Sequence, residues 1–142
     1  MVSKKSPISR ILTIALISGL ISGILVTAIF WFLFSTPWFF LIIPAIIGWS
    51  IKKFANITAD EVEADEKLES KVGWTCAGIT LFFVLLPALV IALGSYLVSG
   101  SLWSIFLNFG FYFVCGFAVW FGHLKGVQAV VDSYYDSNLN ED

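Results

Sequence analysis

The side chains of this sequence that could titrate, ligate or attack are few and scattered. His123 is the single histidine, Cys76 and Cys115 are the only cysteines, and Asn108, in "IFLNFGFYF", is the strongest polar group inside an apolar run. One histidine cannot supply a bis-histidine haem or a histidine-rich metal site within one chain. The cysteines form no C-x-x-C, so the low-pKa pair used for thiol–disulfide exchange is missing, and both are expected to be small packing residues. No P-loop, Gly-rich dinucleotide turn or nucleophile motif occurs. These residues assign no catalytic group, no metal and no cofactor, and the chain is not expected to be an enzyme.

Asn108 and His123 carry milder chemistry. An amide in hydrocarbon needs a hydroxyl or a backbone carbonyl on a neighbouring helix, and Asn108 is expected to make such a bond or to line a polar path. Pro87, in "LLPAL", is expected to kink its helix and free a carbonyl for that purpose. His123 stands beside Lys125, where an imidazole at a membrane interface meets water or lipid headgroups, with proton sensing as the sharper alternative.

The surroundings of these residues are set by composition. The chain is 58% hydrophobic and 13% charged, with mean hydropathy +0.91, against roughly 45–50% and about 25% for a soluble domain. A core built from so short a chain cannot hide that much apolar surface, so the excess must face lipid. A net charge of −2 gives no case for nucleic acid. No charged residue lies between Arg10 and Lys52, or between Lys71 and Lys125. At about 1.5 Å per residue each gap allows two crossings of a hydrocarbon layer about 30 Å thick.

The expected fold is therefore all-α: a single integral membrane domain, a four-helix bundle of two helical hairpins. Its spans are 8–34, 37–53, 72–98 and 102–124, with turns at Ser35-Thr36-Pro37 and Ser99-Gly100-Ser101. Ser6-Pro7 and Thr36-Pro37 read as helix starts, and Pro44 as a kink in the second span. Asn56 ends that helix, and Thr58-Ala59-Asp60-Glu61 matches a capping box. The acidic linker 56–71 should form a short cytoplasmic helix, aided by Glu63 and Lys67 at i, i+4, that runs directly into the third span. Its six acids give a solvated face or, more sharply, a docking surface for a basic partner. The acidic tail 125–142 should continue helical for a few turns and then fray.

Orientation follows from the cations. All eight Lys and Arg residues fall on one side of the four spans, which places both termini and the central loop in the cytoplasm. Trp31, Trp38 and Trp103 then mark outer ends, and Trp49, Trp74 and Trp120 inner ends. The minimal outer loops suit a bacterial inner membrane. The N-terminal segment imitates a signal peptide, but its apolar run continues through "IFWFLF", so the first span is expected to be retained.

Within the first span, "LISGLISGIL" places Ala15, Ser18, Gly19, Ser22 and Gly23 within an arc of roughly 140°. A second small-residue ridge runs through Ala118, Gly122 and Gly126. In lipid, small residues allow backbones to approach and gain dispersion contacts. The interior of the spans holds no Asp, Glu, Lys or Arg, which argues against proton-coupled transport and most intramembrane hydrolysis. The expected role is that of a non-enzymatic accessory, assembly or immunity-type factor, whose partners are the lipid bilayer and another membrane protein or itself. The alternative is a homo-oligomeric channel or small-solute transporter lined by polar groups such as Ser22 and Asn108.

Overall fold

The computed structural model describes residues 6–33, 40–101 and 109–139, all in helices, caps and short connections, with no strand among them. Five helices follow in order: α1 (Pro7–Leu33), α2 (Ile42–Phe54), α3 (Ala59–Ala64), α4 (Leu68–Ser99) and α5 (Phe109–Leu139). Three of them contain stretches long and apolar enough to cross a membrane, Pro7–Ile29, Leu68–Leu86 and Phe113–Asp136.

Local chemistry explains most of the boundaries. Ser6 accepts from the Ser9 N–H at the start of α1, ahead of Pro7, whose missing N–H costs nothing there. Asn56 leaves α2 in the left-handed region at φ 47°, one of the few residue types that tolerate it. Glu61 reaches back to the Thr58 N–H at the start of α3. Gly100, at φ 63°, closes α4 by donating its N–H to the Tyr96 carbonyl.

Of the expected second span, 37–53, the structure describes residues 40–53, within which α2 has 13 residues, about 20 Å. Two readings differ from expectation. Pro44 lies in the first turn of α2 and does not kink it, because an N–H that has no carbonyl to bond is not missed there. The linker helix does not run into the next span. Asp65 breaks the chain by accepting from the Lys67 N–H with its side chain and from the Leu68 N–H with its carbonyl. Glu63 and Lys67 therefore share no helix, and Lys71 pairs with Asp65. The tail, expected to continue helical for a few turns, is helical to Leu139, where Ala129 and Val130 are buried and Ser133 bonds back to the Ala129 carbonyl. Helix α4 continues through Pro87 to Ser99. The turn at 35–37, Trp38, Trp103 and Asn108 lie outside the described residues.

The helices α1, α2, α5 and α4 pack in a ring in that order, with α3 resting near α5. Helix α1 runs antiparallel to α2, its first turns meeting the end of α2 through Arg10. Helix α4 runs antiparallel to α5, pairing Cys76 with Gly126 and Thr80 with Gly122. The core between them is aliphatic, with Ile11, Ile43, Ile47, Ile51, Val72 and Val84 almost fully enclosed. The outer faces of α1, α4 and α5 carry exposed Leu, Ile, Val and Phe. Apolar side chains inside and outside at once are what a helical chain presents to lipid.

Candidate functional site: glycine seams and a charged end

Two of the interfaces that join these helices are built on glycine. A methyl group added to Gly126 would lie 2.7 Å from Cys76 Sγ and 3.3 Å from the Val72 carbonyl oxygen. One added to Gly122 would lie 2.6 Å from Thr80 Oγ1 and 3.4 Å from Pro44 Cβ, so this glycine lets α5 approach both α4 and α2. On the same seam Gly73 faces Val127 and His123, and across the other side of α5 Gly48 faces the backbone and Cβ of Lys125. Such contacts bring backbones close enough for dispersion to act over many atoms.

The ridge on α1 meets a different surface. Ala15, Ser18, Gly19, Ser22 and Gly23 are all buried, and Gly19 and Gly23 face the ring of Phe83. The serine hydroxyls are spent on their own helix, Ser18 donating to the Ile14 carbonyl at 2.7 Å and Ser22 to the Gly19 carbonyl at 3.2 Å. Thr80 is fully buried, and its hydroxyl has no hydrogen-bond partner. Ala118 is also fully enclosed. Of the residues read from the sequence, those on α1 thus form one buried face, those on α5 form another, and His123 joins the α5 group. Its ring stands edge-on to Trp74, centroids 5.1 Å apart, and it is only partly buried. Cys76 and Cys115 are buried and unpaired as thiols.

The charged ends of the helices gather at one end of the ring. Arg10 donates through Nη1 to the carbonyls of Ala55 (2.7 Å) and Asn56 (2.9 Å) and through Nη2 to Glu61. A guanidinium thus closes the C-terminus of α2, where unsatisfied carbonyls concentrate negative partial charge, and ties it to α3. Lys52 bridges Asp132 at 3.5 Å and Asp136 at 3.4 Å, which joins α2 to the end of α5. The Lys71 ammonium hydrogen-bonded to Asp65 holds that carboxyl below its ordinary value. Among the described residues no group of three His, Cys, Asp or Glu could hold a metal ion.

Sequence reasoning missed Arg10, Gly48, Gly73 and Thr80. The two glycines did carry a signal, since a lone glycine in an apolar helical run weakens the helix unless packing requires it. Arg10 carried none, because its partners are 45 to 51 residues away.

No protein-family model, no curated protein and no solved structure matches the chain. The structure itself defines the class: among the described residues it is all-helical, with three helices long and apolar enough to cross a membrane.

Proposed function

We propose that the chain is a non-enzymatic multi-pass membrane protein that works through helix packing, as an accessory, assembly or immunity-type factor for another membrane protein. The observation that carries this reading is the contrast among its glycines. Gly19, Gly23, Gly48, Gly73, Gly122 and Gly126 each face another helix of the same chain, whereas Gly78, Gly94 and Gly116 are exposed, with nothing within 4 Å of where a Cβ would stand. These last three sit among exposed apolar side chains, including Leu93, Leu97, Phe113 and Phe117. Glycine on a lipid-facing helix surface weakens the helix and contributes little dispersion, and a partner helix reverses both deficits.

In this reading α1, α4 and α5 cross the bilayer and α2 is the fourth membrane element. It reaches about 20 Å inward from the headgroup level of Lys52 and Lys53. Both termini lie in the cytoplasm, where the positive-inside rule puts the cations, and the membrane is a bacterial inner one. A photo-crosslinking residue at Gly94 or Gly116, tested in the native membrane, should join the chain to a second protein. The same residue at Leu139 should give no such adduct. No interchain adduct from either glycine would refute the proposal. Adducts with further copies of the chain alone, accompanied by ion flux in liposomes, would favour the channel alternative.

A further inference from the structure

Between α1 and α2 lies an open groove formed by two adjoining cavities. One, of about 200 Å³, is lined by Arg10 and Thr13, and the other, of about 330 Å³, by Ile17 and Ile21, with Ile14 and Phe54 common to both. Together they fall within the usual size of a small-molecule site. The groove is polar at the charged end of the ring and aliphatic along its length. We propose that it holds one acyl chain of an anionic phospholipid, with the phosphodiester at Arg10 and Lys53; this rests on the membrane reading above.

Three observations lead there. The Arg10 Nε N–H is buried without a protein partner, a state that a bound oxyanion relieves. The Lys53 ammonium lies 5.9 Å from the centre of the Phe54 ring that lines the groove and 4.9 Å from that of Trp49, and among the described residues it pairs with no carboxylate. Among the described residues lining or bordering the groove, Arg10 and Lys53 set against Glu61 leave one positive charge, which matches the single negative charge of a phosphodiester. In the neighbouring cleft between α2 and α5 the Asp132 carboxylate lines the wall and pairs with Lys52, which disfavours an anion there.

The test reconstitutes the full chain in vesicles of equal phosphatidylglycerol and phosphatidylcholine, extracts it in mild detergent and weighs it by native mass spectrometry. The wild type should retain one phosphatidylglycerol per chain, at least fivefold more often than phosphatidylcholine. Lys53→Gln should abolish that preference. Ile17→Trp, which fills the aliphatic part from an exposed position, should lower retention of both lipids about fivefold, while Leu16→Trp, exposed but outside the groove, should change neither. Equal retention of the two lipids by the wild type, or unchanged retention in Ile17→Trp, would overturn the inference. So would release of the bound lipid by inorganic phosphate, which would put a soluble anion at the site. A chain that does not sediment with the vesicles contradicts the membrane reading, whereas one that sediments yet retains no lipid contradicts the groove alone.

Discussion

The charged-end half of the ring and the opposite half are built differently. Near the charged end, α5 is pressed against α4 at Gly122 and Gly126 and against α2 at Gly48, and Arg10 and Lys52 tie the helix ends together. Towards the other end, the described side chains of α4 beyond Leu85 are exposed, among them Leu89, Val90, Leu93, Leu97 and Val98. The first half is tied within the chain, and this described face of the second offers surface to lipid or to another helix. Stability should reside in the first half and association in the second.

Overfilling the seam is the strongest way to break this division. Gly126→Leu must displace Cys76 and approach the Val72 carbonyl, so it should destabilise the fold by about 3 kcal/mol, the upper range for overpacking. Thermal unfolding in detergent would register this. Arg10→Ala removes three charge-assisted hydrogen bonds at once and frees α3; a loss of about 2–3 kcal/mol is expected, with proteolysis of the 55–67 segment as the readout. In the open half, Gly94→Leu should change monomer stability by less than about 0.5 kcal/mol, yet reduce recovery of any associated chain.

Two smaller effects sharpen the comparison. Thr80→Val exchanges an unpartnered buried hydroxyl for a methyl group of similar shape, so it should be neutral or stabilise by up to about 1 kcal/mol. Asp65 has its carboxyl held below the ordinary value by Lys71. A depressed folded-state pKa adds stability above the unfolded value, and that contribution disappears as pH falls through the folded value. Because Asp65 sits at the surface, about a third exposed to solvent that screens its ion pair, Asp65→Asn should alter unfolding only slightly at neutral pH. The difference between variant and wild type should vanish in strong acid.

What the sequence disclosed depended on range. Ser6-Pro7, Asn56, Glu61 and Gly100 act within a few residues of themselves, and each helix boundary they mark was readable. Pro44 was misread because a continuous apolar run hides where a helix begins, and a proline looks alike as a kink or as a first-turn residue. The break at Asp65 escaped because helix-favouring residues surround it, and nothing in their types shows that Asp65 will accept from the Lys67 and Leu68 N–H groups instead of continuing the helix. The helical start of the tail is marked by Gly126, Ala129, Val130 and Ser133, which repeat with helical spacing. Of the candidate site, the small faces of α1 and α5 were legible as faces, but what each meets was not. Phe83, Thr80 and Cys76 become neighbours only once the helices pack.

The most direct test is the native mass of the assembly, extracted gently from its own membrane at natural expression. The account predicts this chain together with a different protein for the wild type, and the chain alone, still folded, for Gly94→Leu combined with Gly116→Leu. A lone chain in the wild type, or a partner retained unchanged by the double variant, would contradict it.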